Sequence, residues 1–189
     1  MKSASLIFAI IVLILGPSVA LAQDAEAVQR TYQKELDAAV DRGLAYLASK
    51  QVNQQTAQQL GRPELVGSFL EESSPGNTGI TSLAVMAFLA KGHLPGRGPY
   101  GAVINRGIDY LLKQQLDIGL LVCRNTAGRT TGLMYEHSIA TLLLGEVSGM
   151  VDSRRQNRID SVLPKAAGGV RILFAARFRF LGSAYPGNQ

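Results

Sequence analysis

The chain of 189 residues contains one cysteine, two histidines and no tryptophan. The single cysteine, Cys123, excludes an intrachain disulfide and any zinc or iron–sulfur site built from several cysteines. Charged residues are also scarce, at 17%, whereas apolar residues make up 47%. This balance excludes an intrinsically disordered chain, and the 20 glycines and seven prolines interrupt the apolar runs too often for a polytopic membrane protein. The composition therefore predicts a globular domain with a large core.

The net charge of +5 is concentrated near the carboxyl terminus. Residues 23–150 carry 11 basic and 12 acidic side chains, whereas residues 151–189 carry seven basic and two acidic ones. A nucleic-acid-binding domain needs a basic surface on the folded domain itself, so this distribution argues against nucleic acid as a partner. The cationic tail leaves contact with a membrane surface open.

The amino terminus has the pattern of a signal peptide over residues 1–22. Lys2 precedes an apolar stretch from Ala4 to Leu15, and Ala20-Leu21-Ala22 is a small-x-small cleavage site. We predict cleavage before Gln23 and an exported mature protein, periplasmic or extracellular. The apolar stretch is shorter than the ~20 residues that cross a bilayer. An uncleaved leader that anchors the chain to the membrane is the alternative.

Hydrophobic spacing predicts helices from the leader to about residue 166. Apolar residues recur every three or four positions over residues 24–50, which places them on one face of a long helix. Residues 83–90 are apolar on every side, and such a helix is expected to be surrounded by others. An amphipathic segment over about 100–116 and an apolar segment over about 139–147 follow in the same order. An all-α fold is therefore expected.

One pattern of residues occurs twice. Residues 42–51, Arg-Gly-Leu-Ala-Tyr-Leu-Ala-Ser-Lys-Gln, align with residues 106–115, Arg-Gly-Ile-Asp-Tyr-Leu-Leu-Lys-Gln-Gln, at a spacing of 64. Residues 82–84, Ser-Leu-Ala, align with residues 138–140, Ser-Ile-Ala, at a spacing of 56. A hairpin of one amphipathic and one apolar helix is therefore predicted twice. Such a unit needs neighbours to bury its apolar face.

The repeated residues resemble the QW motif of squalene and oxidosqualene cyclases, in which a basic and a small residue precede an aromatic-Leu pair, a Gln and a Gly-x-Trp. The second copy matches at Arg106, Gly107, Tyr110, Leu111, Gln115 and Gly119, with Leu121 in place of Trp. The first copy matches at Arg42, Gly43, Tyr46, Leu47 and Gln51, and then has Gln55 and Ala57 in place of Gly and Trp. A third copy begins at Lys165-Ala166, at a spacing of 59 from Arg106, without the aromatic-Leu pair.

The resemblance to the prenyltransferase and squalene oxidase repeat group implies an α/α toroid with apolar inner helices and amphipathic outer ones. Residues 23–166 hold two hairpins and the start of a third, which makes a partial toroid. A partial ring exposes the flank of an inner helix. That flank is expected to bind an apolar, isoprenoid-like ligand, a protein partner or a second copy of the chain.

The catalytic residues of the enzymes with this fold have no counterpart in the chain. It has neither the Asp-x-Asp-Asp cluster of squalene cyclases nor the Cys-Gly-Glu-Gln of thioester proteins, and Cys123 lies outside any context like that of the zinc prenyltransferases. We therefore expect no metal, no cofactor and a non-catalytic module. The alternative is a fragment of a terpenoid cyclase or prenyltransferase-like enzyme whose active-site residues lie outside this chain.

The residues of the motif have architectural interpretations. A glycine inside a helix, as at Gly43 and Gly107, indicates close approach of a neighbouring helix. The two motif tyrosines are expected to pack their rings on the inner layer, and the two motif glutamines to satisfy main-chain groups at helix ends. None of these roles is catalytic.

Tyr135-Glu136-His137 begins the second apolar helix, where the cavity of a toroid would open. These three residues are candidates to face a ligand, with His137 as a base or polar contact. A packing or capping histidine is the alternative.

Residues 167–189 differ from everything before them. Arginines and apolar residues alternate there with a period of two, which is typical of a strand. The alternating residues are Arg171, Arg177 and Arg179 on one parity and Ile172, Phe174, Phe178 and Phe180 on the other. We interpret this segment as a basic, aromatic tail whose reading frame is shifted after Ala166, or as a cationic tail that contacts a membrane.

Overall fold

A computed structural model describes residues 32–69, 76–123 and 132–184, with side chains up to residue 169. The predicted signal peptide lies outside the described residues. The chain divides into two compact units, Met1–Ala45 and Tyr46–Gln189. Within the described ranges every regular element is a helix, and extended backbone pairs only at two isolated bridges. The all-α prediction is confirmed.

The described residues form six α-helices and one short 3-10 helix. The α-helices are α1 over 32–49, α2 over Gln54–Gln59, α3 over Thr78–Ala90, α4 over Gly101–Leu112, α5 over Leu133–Glu146 and α6 over Ser153–Ala184. The 3-10 helix, Pro63–Leu65, follows α2. In this part of the chain no helix is both long and apolar enough to cross a membrane.

The described part of the first unit is the amino-terminal portion of α1. Tyr32, Leu36 and Val40 follow one another at intervals of four positions and are all exposed. The apolar stripe predicted for this helix is therefore present on its surface.

In the second unit, α3 lies between α4 and α5 and packs against both. Asn77 caps its amino terminus, because the side-chain oxygen accepts a hydrogen bond from the Ile80 N–H at 2.9 Å. Beyond its carboxyl terminus, Gly92 adopts a positive φ of 91°, which ends the helix. The helix is not surrounded on all sides as its composition predicted, because Leu83 is 53% exposed.

Gly107 allows α4 to lie close to α3. A Cβ atom at this position would lie 2.5 Å from Cγ2 of Val85, well inside van der Waals contact. A Cβ atom at Gly43 of α1 would meet nothing within 4 Å. The close approach inferred from the two glycines therefore holds for Gly107 and not for Gly43.

The third amphipathic helix, α6, packs against α4 and α5. Its residues Ile159, Val162 and Ala166 are buried. Arg155 of α6 binds Asp109 of α4 with two bonds, Nε to Oδ1 at 3.0 Å and Nη2 to Oδ2 at 2.6 Å. This bidentate ion pair fixes the register between the two helices.

The segment whose alternation of arginine and apolar residues is typical of a strand is helical, because α6 continues to Ala184. A strand needs a neighbouring strand to satisfy its main-chain N–H and C=O groups, whereas a helix satisfies them within the segment. The alternation of arginine and apolar residues over 171–180 is therefore not evidence of a strand.

Candidate functional site

Gln51 lies at the junction of α1, the segment that follows it and α4. Its Nε2 donates to the carbonyl oxygens of Gly67 at 3.1 Å and Val103 at 2.8 Å. Its Oε1 accepts a bond from Nε of Arg106 at 2.9 Å. The side chain is 6% exposed, so these bonds satisfy a buried amide. Gln51 thus ties a connecting segment to the next amphipathic helix.

Gln115 makes the corresponding bonds after α4. Its Nε2 donates to the carbonyl oxygens of Gly119 at 3.2 Å and Val162 of α6 at 3.0 Å. The main chain pairs Gln115 with Leu121 in an isolated bridge, as it pairs Gln51 with Phe69. The amide at the end of each motif copy therefore satisfies main-chain groups, as its position predicted.

Two glycines in these segments lie directly on the next helix. Gly67 and Gly119 have positive φ values of 96° and 90°. A Cβ atom on Gly67 would lie 2.2 Å from the carbonyl oxygen of Arg106, and one on Gly119 would lie 2.1 Å from that of Lys165. Arg106 and Lys165 are the two residues that the spacing of 59 aligned. The segment before each helix therefore packs against α4 and α6 at corresponding positions.

The Gly-x-aromatic element of the first copy is Gly67-Ser68-Phe69. At fixed spacing the motif falls on Gln55 and Ala57 instead, because the first segment is longer. Gly67 follows Gln51 by 16 positions, whereas Gly119 follows Gln115 by four, so the first segment contains an insertion. The insertion holds α2 and the 3-10 helix. A search for Gly-x-aromatic at variable distance from the glutamine would have found the match.

Thr81 of α3 and His137 of α5 each accept a main-chain hydrogen bond from the segment that follows a motif glutamine. Oγ1 of Thr81 accepts the N–H of Phe69 at 3.3 Å, and Nδ1 of His137 accepts the N–H of Leu121 at 3.0 Å. Because Nδ1 accepts, Nε2 carries the proton and donates to the carbonyl oxygen of Ala166 at 3.2 Å. His137 is fully buried, and burial lowers its pKa below the usual value, an effect that the bond to Ala166 opposes.

Glu136 is a buried carboxylate that holds three neighbours. Oε2 accepts the N–H of Cys123 at 3.1 Å and the hydroxyl of Thr78 at 3.0 Å. Oε1 accepts Nδ2 of Asn77 at 3.2 Å. The side chain thus fixes the amino terminus of α3 and the end of the segment that carries Cys123.

The two motif tyrosines have different environments. Tyr110 is buried, its hydroxyl donates to the carbonyl oxygen of Gly76, and burial raises its pKa. Tyr46 is 62% exposed, and Nζ of Lys50 lies 5.1 Å from the centre of its ring. Only Tyr110 therefore packs inside the helical layers.

The triplet Tyr135-Glu136-His137 does not converge on one cavity. Tyr135 is 76% exposed, whereas Glu136 and His137 point inward and bind main-chain groups. The three residues are adjacent in sequence, but in the described structure their side chains do not line a common cavity. Their role towards a ligand stays a prediction.

An apolar groove of about 310 Å³ lies between the carboxyl ends of α3 and α5. Nε2 of His93 is buried and has no hydrogen-bond partner among the described residues. The His93 ring packs edge-on against Tyr100, with 4.8 Å between ring centres. No sequence motif marks His93, which directly follows the glycine that ends α3. The groove is lined by Met86, Leu89, Ala90, His93, Leu94, Glu146 and Met150.

A larger depression of about 730 Å³ lies between the segment after α4 and α6. Its lining is rich in charged and amide side chains, among them Lys113, Asp117 and Arg158. Such a surface binds water and ions rather than an apolar chain. The groove at the ends of α3 and α5 is therefore the better candidate for an apolar ligand.

Within the described ranges, no three side chains of His, Cys, Asp or Glu come together as metal ligands would. Comparisons with family models, with curated proteins and with solved structures found no match to this chain.

Proposed function

We propose that this chain is an exported, non-catalytic helical-repeat module that binds an apolar ligand in the groove between the carboxyl ends of α3 and α5. The observation that carries the proposal is the lining of that groove. Met86, Leu89, Leu94 and Met150 supply flexible apolar side chains at the surface. Methionine and leucine adapt to irregular apolar ligands, and burying their exposed area against a ligand is favourable.

The hydrogen-bonding of the interior supports a non-catalytic role. A general base needs a lone pair that faces the reacting group. In His137 one ring nitrogen accepts from Leu121 and the other donates to Ala166. The oxygens of Glu136 accept from Cys123, Thr78 and Asn77. These groups stabilise the main chain of neighbouring segments.

The corresponding contacts of the two motif copies support the resemblance to squalene cyclase-like repeats. Gln51 and Gln115 bind the next amphipathic helix at corresponding residues, Val103 and Val162, which lie 59 positions apart. In a partial α/α toroid, α3 and α5 would be inner helices, and α4 and α6 outer ones. The pattern of residues 1–22 supports export.

The ligand that suits the groove is an apolar chain with one polar end, such as an isoprenoid alcohol. The volume of about 310 Å³ lies at the lower limit of small-molecule pockets. His93 lines the groove, and its buried Nε2 has no hydrogen-bond partner among the described residues. A ligand hydroxyl that reaches this atom would supply one. The rest of the ligand would contact apolar side chains.

Farnesol binding to the full chain, measured by isothermal titration calorimetry, tests the proposal. Met150→Glu places a charge in the groove at a residue that is already 50% exposed, and should weaken binding at least about 10-fold, because burying the new charge is unfavourable. Leu60→Glu, at a residue 48% exposed outside the groove, is the matched control and should bind as the wild type does. Absence of saturable binding, or equal affinity in Met150→Glu, would contradict the proposal.

A further inference from the structure

Each residue of α3 corresponds to the residue of α5 that lies 56 positions later in the sequence, and a pair of corresponding residues makes corresponding contacts. Thr81 and His137, 56 positions apart, bind the corresponding residues Phe69 and Leu121. Residues at this spacing therefore point in corresponding directions relative to their own neighbours. Burial can then be compared position by position along the two helices.

One face of α3 is covered by α5. Gly79 is buried there, and a Cβ atom on it would lie 3.4 Å from Cα of Glu136. Ser82 lies one turn further along the same face and is also buried. Met86 and Leu89 continue this face to the groove that α3 shares with α5.

The corresponding face of α5 is open. Tyr135 and Ser138 correspond to Gly79 and Ser82, and both are exposed. Leu142, which corresponds to Met86, is 51% exposed. The open face of α5 is defined here by Met134, Tyr135, Ser138, Leu142 and Gly145, all of which are exposed.

Comparing the buried residues of α5 with their counterparts in α3 identifies an open flank on α3. Leu143 of α5 is buried, whereas the corresponding Ala87 of α3 is partly exposed. Leu83, which corresponds to the half-buried Ile139, is 53% exposed. The open flank of α3 is defined here by Ile80, Leu83 and Ala87.

The two open surfaces match each other in polarity. Between α3 and α5 the amino-terminal contact is polar, since Asn77 and Thr78 bind Glu136. The same shift of 56 positions replaces Asn77 and Thr78 with Leu133 and Met134 on α5, and replaces Glu136 with Ile80 on α3. Both sides of the contact thus change from polar to apolar together. A partner unrelated to this chain would not be expected to share that change.

We infer that the open face of α5 binds the open flank of α3 in a second copy of the chain, head to tail. The contact continues the packing that α3 and α5 already make within one chain. Tyr135 stands where α3 has Gly79, so the helices of two copies lie further apart than α3 and α5 do. Because the two surfaces differ, the contact is heterologous, and it extends to a ring or an open array.

Sedimentation velocity on the full chain tests this inference with one charge on each surface. Leu142→Glu blocks the open face of α5 and Leu83→Glu blocks the open flank of α3; Leu60→Glu is the matched control. The wild type and the control should associate with rising concentration beyond a dimer. Each of the other variants alone should stay monomeric, because it lacks one of the two surfaces.

The equimolar mixture of the two variants is the decisive sample. Leu83→Glu retains an intact α5 face and Leu142→Glu retains an intact α3 flank, so the mixture should form a 1:1 dimer and nothing larger. A monomeric wild type, association that persists in either variant, or a mixture that stays monomeric would overturn the inference. Loss of association in Leu142→Glu but not in Leu83→Glu would indicate a symmetric contact between α5 helices instead, and would also overturn it.

The substituted residues are half exposed, so both variants should keep the circular dichroism spectrum of the wild type. If one fails to fold, Ser138→Arg and Ala87→Arg block the same two surfaces. The inference does not depend on ligand binding. Neither Leu83 nor Leu142 lines the groove. Farnesol binding is measured by calorimetry, whereas association is measured by sedimentation velocity.

Discussion

Thr81 and His137 accept the same hydrogen bond in successive parts of the chain, one from the N–H of Phe69 and the other from the N–H of Leu121. The imidazole also reaches Ala166 of α6, which a threonine is too short to do. The histidine thus joins three segments where the threonine joins two. Its protonation state therefore matters for the packing of α5 and α6.

Stability should decrease when the pH falls below the ordinary pKa of histidine. Burial lowers the pKa of His137 from 6.5, although the bond to Ala166 opposes this, so the unfolded chain takes up a proton before the folded chain does. The contribution of neutral His137 is complete above about pH 6.5 and is lost as the pH falls from there through the lowered pKa. Urea unfolding midpoints measured between pH 5 and 8 check the slope.

His137→Gln should reduce the free energy of unfolding at pH 7.5 by about 1–3 kcal/mol, because at least one buried main-chain group loses its partner. The same variant should flatten the decrease between pH 6.5 and 5. A slope that survives in His137→Gln would show that another group is responsible.

Gly67→Ala and Gly119→Ala should each destabilise the fold by about 3 kcal/mol or more. The new Cβ atoms would lie 2.2 Å and 2.1 Å from carbonyl oxygens of the next helix, in addition to the strain of a positive φ. Gly61→Ala also replaces a glycine with a positive φ, here 65°, but no atom lies within 4 Å of the new Cβ. It should cost only about 1–2 kcal/mol. Chemical denaturation of all three separates the steric effect from the conformational one.

Gly107→Ala and Gly43→Ala should have opposite signs. Alanine is a better helix former than glycine by about 0.5–1 kcal/mol, and a Cβ atom at Gly43 meets nothing, so Gly43→Ala should stabilise. At Gly107 the new methyl group would lie 2.5 Å from Val85, so Gly107→Ala should destabilise. Adding Val85→Ala should reduce the loss caused by the Gly107 substitution. Additive losses in the double variant would contradict the direct contact.

Arg155→Lys should destabilise by about 1–3 kcal/mol although the charge is kept. A lysine cannot make the two parallel bonds that Arg155 makes to Asp109, where the side chains are 14% and 25% exposed. Arg62→Lys is the comparison, because its partner Glu64 is 56% exposed, and the loss of that ion pair should change stability by less than about 1 kcal/mol. Equal losses in the two variants would contradict this reading of the α4–α6 contact.

The features that sequence predicted correctly depend on short-range patterns. The apolar run in α3 is local, and so is the short spacing from Gln115 to Gly119. The match of the first copy to the motif stops at Gln51, because an insertion separates Gln51 from Gly67 and fixed spacing cannot follow a chain of variable length. The alternation of arginine and apolar residues near the end of the chain is typical of a strand but lies in a helix, since periodicity does not show whether a strand has anything to pair with.

The environment of individual side chains was less predictable than the helices. Tyr46 and Tyr110 occupy the same position in the motif, yet one is exposed and the other buried, because burial depends on the segment that covers the ring. The sequence indicates that His137 lies near the start of an apolar helix, but its partner Ala166 lies far along the chain and belongs to another helix. Contacts of this kind follow from tertiary packing and not from the order of residues.

The longer first segment has a practical consequence for modifying this protein. Its ends are held together by main-chain bonds between Val52 and Ser68 and between Gly67 and Val52, and by the amide of Gln51. The second segment is closed in the same way although it is much shorter. Because these bonds close the ends of each segment, the packing of the helices does not depend on how long the segment is. The turn between Leu116 and Gly119 is accordingly the place to graft an epitope tag or a fluorophore-binding peptide.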